Sequence, residues 1–342
     1  MCCLFGFVDY KGSMSKAEKD RMLRILSIEC EARGTDATGI AYMQGNRMRI
    51  LKKPKAAHQI RFSVPNDVNV VMGHTRLTTQ GAAAKNYNNH PFPGKAGNKQ
   101  FAFAHNGVLY NEESIRKLYD LPETQIETDS YVVAQALEAK GVVDFSSLSD
   151  ISEHVSGSFC FTALTQENTL FIVKGDNPMC LYHFPKKGIY MYASTEAILQ
   201  AALKRLGMMS ASHEEIRLID GQIIKIQEDG STEFAEFEMP EDLTYSYWRR
   251  YGYYGMYNYN YDGYDDDIGL QDLSAKDDDH KAYFNQLVEF ARYLGYDEED
   301  VLGLLHVGYS LEDVEDYLYD TMYPRRYFSS ANTSTDPLPV TM

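Results

Sequence analysis

Cys2, directly behind Met1 in Met1-Cys2-Cys3-Leu4-Phe5-Gly6, has more chemistry within reach than any other residue of the chain. Removal of one methionine, which methionine aminopeptidases perform when the next side chain is small, leaves a thiol and a free α-amino group on the same residue. A thiol has an unperturbed pKa near ~8.5 and an α-amino group near ~7.7–8, so both exchange protons close to neutral pH. Such a terminus carries a nucleophile and its base together. Taken alone, Cys2 reads first as a small hydrophobe opening the apolar strand Leu4-Phe5-Gly6-Phe7-Val8.

Four further segments hold residue types suited to a polar site. They are Arg33-Gly34-Thr35-Asp36-Ala37-Thr38-Gly39, Gly73-His74-Thr75-Arg76-Leu77-Thr78-Thr79-Gln80-Gly81, His105-Asn106-Gly107-Val108-Leu109-Tyr110-Asn111 and Glu127-Thr128-Asp129-Ser130. Each has an ordinary structural reading: Arg-Gly-x-Asp as a turn, Asn-Gly as a hairpin signal and Thr-Asp as a helix start. In this order and spacing behind a penultimate Cys, however, they closely resemble the glutaminase domain of class II glutamine amidotransferases, the N-terminal-nucleophile family. The resemblance covers roughly residues 2–230 and extends to Gly157-Ser158-Phe159, Tyr192-Ala193-Ser194-Thr195-Glu196 and Leu218-Ile219-Asp220-Gly221-Gln222-Ile223.

The resemblance implies a four-layer αββα sandwich of the α+β class, and hydrolysis of glutamine to glutamate and ammonia through a Cys2 thioester. It implies that the Asn106 side-chain amide and the Gly107 backbone N–H hold the oxyanion, and that Arg33 organises the site beside the nucleophile. Arg76 suits a bidentate grip on the substrate α-carboxylate, Asp129 suits the α-ammonium, and Thr79 adds a hydroxyl contact to the carboxylate. His90, in Asn89-His90-Pro91, matches a family position near the glutamine pocket; His74 and His105 read as structural, because the α-amino group makes a histidine base unnecessary. Leu77–Phe92, rich in Gly, Ala and Asn, is expected to be a mobile lid over bound glutamine. Two positions depart from the family pattern: Cys3 stands where most relatives have Gly, and Leu77 where some synthases have an aromatic residue.

Short β-rich runs alternate with helical ones over the first two thirds of the chain, and these must position the site. Strands are expected at Leu4–Val8, Gly39–Tyr42, Met48–Leu51, Val68–Gly73, Gln100–His105, Ser158–Leu164, Thr169–Lys174, Leu181–Phe184, Ile189–Ala193 and Gln222–Ile226. Helical periodicity runs over Lys16–Arg33, Glu112–Leu118, Asp129–Ala139, Val142–His154 and Thr195–Leu206, with Ser15 and Ser194-Thr195 as caps. Residues 2–240 are therefore expected to form the amidotransferase domain. Residues 241–279 read as a linker: nine of the twenty residues from Tyr245 to Tyr264 are Tyr, and two Asp triplets follow. Residues 280–322 carry three short helical patterns, Lys281–Leu294, Glu298–His306 and Leu311–Tyr319; the turn Gly308-Tyr309-Ser310-Leu311-Glu312-Asp313-Val314 resembles small ubiquitin-associated-type three-helix domains. Residues 323–342 read as a flexible tail.

Bulk properties narrow the function. The net charge of −16 is concentrated after Glu241, where 21 acidic residues face 7 basic ones, so nucleic-acid binding is not expected. No run of eighteen apolar residues and no secretory leader are present, pointing away from a membrane and toward the cytoplasm. Five cysteines with neither CxxC nor Cys/His ligand spacing indicate reduced thiols, with no metal site and no cofactor. The segment after Pro240 is too short to encode a sugar isomerase, phosphoribosyltransferase or ATP-pyrophosphatase domain, so the expected acceptor of ammonia is a separate synthase subunit. Two other readings stay open: a stand-alone amidohydrolase acting on another γ-glutamyl amide, and a non-catalytic interaction module whose C-terminal helices bind a protein partner.

Overall fold

The first strand, β1 (Cys3–Asp9), is buried along its whole length, so both of its faces need cover. Phe5 and Phe7 point one way and Leu4 and Val8 the other, as the two-residue period of a strand requires. In the computed structural model, which describes residues 2–240 together with 284, 285, 287, 288, 291, 292, 296–306, 311, 314 and 318, that double burial is met by a sandwich with helices on both outer faces.

One sheet has seven antiparallel strands in the order β11 (Glu214–Glu215), β9 (Cys180–Phe184), β10 (Ile189–Ala193), β1, β4 (Val70–Arg76), β2 (Ala37–Gln44) and β3 (Arg47–Lys53). The other has six: β13 (Thr232–Glu236), β12 (Gln222–Ile226), β8 (Leu170–Lys174), β7 (Gly157–Thr165), β6 (Lys99–Leu109) and β5 (Phe92–Ala96). Leu4, Val8, Met72, Ala102, Ala104, Cys160, Ile172, Tyr192 and Ile224 fill the layer between the sheets. On the outer face of the first sheet, Phe5, Phe7 and Met191 pack against Leu23 and Leu26 of α1 (Lys16–Glu29) and Leu199 and Leu203 of α5 (Glu196–Leu206). Phe101, Phe103, Phe159 and Phe161 do the same for the second sheet, against Ile115 of α2 (Glu112–Leu118), Val133 and Leu137 of α3 (Tyr131–Lys140) and Leu148 and Ile151 of α4 (Phe145–His154). The layers are αββα, as the resemblance implied. Each fully buried Phe or Leu in them contributes roughly 1.5–3 kcal/mol of transfer free energy.

Local chemistry sets the element boundaries. Ser15 opens α1 with a reciprocal capping box, its Oγ accepting from Glu18 N at 3.3 Å while Glu18 Oε2 accepts from Ser15 N at 2.8 Å. The helix ends at Glu29 and tightens into a 3-10 turn, Cys30–Ala32, so Arg33 stands just past the helical segment rather than within it. Asp144 caps α4 through Ser147 N at 2.8 Å, which starts that helix at Phe145, later than periodicity alone placed it. Three strands escaped the sequence patterns: β5, because Pro93-Gly94 reads as a turn, and the edge strands β11 and β13, because Glu214–Glu215 is two charged residues long and Thr232–Glu236 is mostly polar. Conversely β6 runs on through Asn106-Gly107 to Leu109, with Asn106 opposite Cys160 and Gly107 opposite Phe159. No hairpin forms at that Asn-Gly pair.

The chain divides into two compact units, Met1–Tyr257 and Asn258–Met342. In the second, Val288, Ala291, Val301, Val314 and Leu318 form a buried cluster of their own, with Phe284, Tyr296 and Leu305 against it. Its helix α6 spans Glu298–His306, the range read from the sequence, and Asp297 and Asp300 cap it reciprocally at 2.8 and 3.0 Å. The expected linker at 241–279 and tail at 323–342 lie outside the described residues. Among the described residues no helix is long and apolar enough to cross a membrane.

Candidate active site

The candidate residues converge where β1, β4 and β6 reach one end of the sandwich. Cys3 lies opposite Thr75 and Leu4 opposite His74 in the β1–β4 register. His74 Nε2 meets the carbonyl of His105 on β6 at 2.9 Å, which ties the two sheets together beside Asn106. Cys2 is 8% exposed, its thiol 3.5 Å from the Leu77 carbonyl, and its own carbonyl accepts from Arg33 Nε at 3.0 Å. Burial pushes the Cys2 thiol up, against the opposing pull of the chain's amino terminus and the Arg76 guanidinium. A thiol so placed needs a base to ionise it at neutral pH.

Arg76, the last residue of β4, is only 2% exposed and spreads its guanidinium over several acceptors. It donates to Asn89 Oδ1 at 2.7 Å, to the Gly81 carbonyl at 2.9 Å, to Thr128 Oγ1 at 3.4 Å and to the Gln80 carbonyl. Asp36, from the Arg-Gly-x-Asp segment, brackets the start of the following loop: its N–H donates to the Arg76 carbonyl at 2.9 Å and its carboxylate accepts from Thr78 N at 2.8 Å. Asp129, just before α3, is buried and accepts from Leu109 N at 2.7 Å and Ser130 Oγ at 3.3 Å. Cys2, Arg76 and Asp129 are close enough to act on one another's charge: Arg76 favours the thiolate and Asp129 opposes it.

Asn106 is fully buried, and neither its Nδ2 nor its Oδ1 has a hydrogen-bond partner among the described residues. A buried amide left unsatisfied costs roughly 1–3 kcal/mol, so a site that keeps one is shaped for something that arrives later. The adjoining Gly107 has φ +139°, and a Cβ there would lie 1.9 Å from the Ser158 carbonyl. Only glycine fits that position.

The other candidates divide. His90 Nε2 lies 3.1 Å from Ser130 Oγ, and its ring packs 4.3 Å from the rings of both His74 and Phe92. Burial holds it neutral, well below the ordinary histidine range, and lowers His74 to about 3. His105 is shifted the same way by burial, with its Nε2 at 3.3 Å from the Ser158 carbonyl. His90 thus supports the residue next to Asp129. Thr79 is exposed on the loop after β4, whereas Cys2, Arg76, Asn106 and Asp129 are buried. That loop is anchored rather than free-standing: Glu127 accepts from Asn88 Nδ2 at 2.9 Å and pairs with Lys85, Asn88 O accepts from Thr128 Oγ1 at 2.8 Å, and Phe92 already belongs to β5. Sequence reasoning gave no role to Asn88, Asn89 or Thr128, although Asn89 and Thr128 stood within quoted motifs and Asn86, Asn88 and Asn89 cluster there. Among the described residues no three His, Cys, Asp or Glu side chains group to hold a metal ion.

Known proteins are similar to this region in sequence and fold. Residues 74–201 match the glutamine amidotransferase domain family. This match and the relatives below support a class II glutamine amidotransferase domain in this chain. It is 25% identical over 240 residues to the glutamine–fructose-6-phosphate aminotransferase of Geobacillus kaustophilus, and 26% identical over 235 residues to that of Bacillus thuringiensis. Each match covers 68% of this chain, which spans only 37% of the length of those relatives. Among solved structures, the glutamine phosphoribosylpyrophosphate amidotransferase of B. subtilis superposes with a TM-score of 0.55 at 18% identity, over 70% of this chain and 50% of that one. That likeness shows the amidotransferase fold.

Proposed function

We propose that the protein hydrolyses glutamine to glutamate and ammonia, with Cys2, freed of Met1, as nucleophile. The observation that carries this reading is the buried Asn106 amide, unpartnered beside Gly107 and gathered with a buried cysteine, arginine and aspartate. Arg76 and Asp129 offer opposite charges for the α-carboxylate and α-ammonium of a free amino acid, which favours glutamine over acyl amides lacking that head group. His90 supports this end of the pocket through Ser130, and Thr79 reaches the carboxylate only if its loop folds inward. The α-amino group of Cys2 takes the thiol proton, and the sulfur attacks the side-chain amide carbon to give a tetrahedral oxyanion. Asn106 Nδ2 and the Gly107 N–H donate to that oxygen, while Arg33 holds the Cys2 carbonyl and with it the nucleophile's backbone. The C–N bond then breaks as the α-ammonium returns its proton to the departing ammonia. A water that gives its proton to the same amino group cleaves the remaining thioester, and glutamate leaves.

The relatives' names describe transfer to a sugar phosphate or a pyrophosphate sugar, and this chain spans a minor part of the aminotransferases. We assign the ammonia to an acceptor on a separate synthase subunit, and the setting to the cytoplasm, where the five free thiols stay reduced. Residues 2–240 form the amidotransferase domain, and residues 280–322 a separate helical one with a protein partner of its own. The test is labelling by a glutamine-mimicking electrophile after removal of Met1, read by peptide mass. The modification is expected on Cys2 and blocked by glutamine; modification elsewhere, with Cys2 untouched, would sink the reading.

A further inference from the structure

A buried asparagine outside every segment considered so far lies against the oxyanion-binding peptide. Asn177, 5% exposed, donates from Nδ2 to the main-chain carbonyl of Asn106 at 3.0 Å. A Cβ on Gly107 would come within 2.6 Å of that same nitrogen, so the Asn177 amide packs directly on the Asn106–Gly107 peptide. In a trans peptide the C=O and the following N–H point in opposite directions within one plane. Whatever fixes the Asn106 carbonyl therefore also fixes where the Gly107 N–H points.

The turn carrying Asn177 is itself anchored on the neighbouring strand. Asp176 Oδ1 accepts from Phe159 N at 2.7 Å, and Asn177 N reaches the Phe159 carbonyl at 3.4 Å. Gly175 passes so close to that carbonyl that a Cβ would lie 2.4 Å from it. Lys174, buried at the end of β8, donates to the Gly175 carbonyl at 2.8 Å and to Asp220 Oδ1 at 2.6 Å. Phe159 lies opposite Gly107 in the β6–β7 register, so this turn spans the partner strand and grips β6 at the single peptide that matters.

We infer that Asn177 is a positioning residue for the oxyanion hole, holding the Asn106 carbonyl so that the Gly107 N–H faces the oxygen of the reacting carbonyl. It touches no substrate, and its role rests on the glutamine-hydrolysis reading above. Preorganised donors act because they need no reorientation when charge develops. Loss of the grip lets the peptide rotate and costs rate rather than substrate affinity.

The experiment compares wild type, Asn177→Ala and the isosteric Asn177→Asp, which keeps the shape and loses the donor. Three quantities are read: kcat for glutamate release from glutamine, the Kd of glutamate by calorimetry, and the thermal midpoint. Both variants are expected to lose kcat by about 10- to 100-fold, somewhat less than removal of a direct donor, with the glutamate Kd within about threefold of wild type. Wild-type kcat in Asn177→Asp overturns the inference and leaves the glutaminase reading intact, as does a fall in kcat matched by equal losses in glutamate affinity and thermal midpoint. A wild-type protein without turnover, once Met1 is shown to be absent, removes both.

Discussion

The residues of the site differ in how they hold ligand, and this separates the effects of replacing them. Asn106 has no structural hydrogen bond to lose through its side chain, so Asn106→Ala should lower kcat by about 10²–10³ at nearly unchanged stability. Equal turnover in that variant would remove it from the mechanism. Arg76 is the opposite case, because its guanidinium already serves Asn89, Gly81 and Thr128. Arg76→Lys keeps the charge but not the planar fork, so KM for glutamine should rise about tenfold or more, with a lower thermal midpoint, while kcat changes less. Cys2, Arg76, Asn106, Gly107 and Asp129 were picked out in the sequence by the family resemblance of their motifs together with side-chain type. Asn89, Thr128 and Asn177 were not, because they act on main-chain groups or on another side chain, and an asparagine in a loop reads first as turn chemistry.

At the level of elements, capping and two-sided burial explain most boundaries. Ser15 and Thr195 cap α1 and α5 as read from the sequence, because a hydroxyl that satisfies an orphan N–H is a local signal. Ser15→Ala should lower unfolding stability by about 1 kcal/mol, measured by denaturant titration, without altering glutamine turnover; an unchanged midpoint would mean the cap contributes nothing. The illegible pieces were those where tertiary pairing outweighs local preference. β5 contains Pro93-Gly94 yet pairs with Phe101 and Ala102. The Asn106-Gly107 pair, a hairpin signal by itself, stays in β6 because β7 pairs with it residue for residue as far as Leu109.

For the whole molecule, the sandwich was legible as an architecture because strands buried on both faces and flanked by amphipathic helices admit few packings. What no pattern foretold is that its centre near the site holds three buried histidines, His74, His90 and His105, all kept neutral by burial. Their folded-state pKa values lie below the unfolded value of about 6.5, so below that pH the unfolded chain takes up protons that the fold refuses. Stability from this source is full above pH 6.5 and falls as the pH drops, down to about 3 for His74. His74 costs at most about 1.4 kcal/mol per pH unit in that window, and His90 and His105 act in the same direction. The thermal midpoint should therefore drop steeply between pH 6.5 and 5, before most carboxylates titrate; a flat profile there would mean that the three rings protonate in place.

If a processed Cys2 is the group that attacks glutamine, glutamate release by the Met1-free protein depends on its thiol. Wild type is expected to convert glutamine to glutamate and ammonia in equal amounts, and Cys2→Ala to show none above the uncatalysed background. Turnover retained in Cys2→Ala, or absent from wild type of verified mass, would contradict the account.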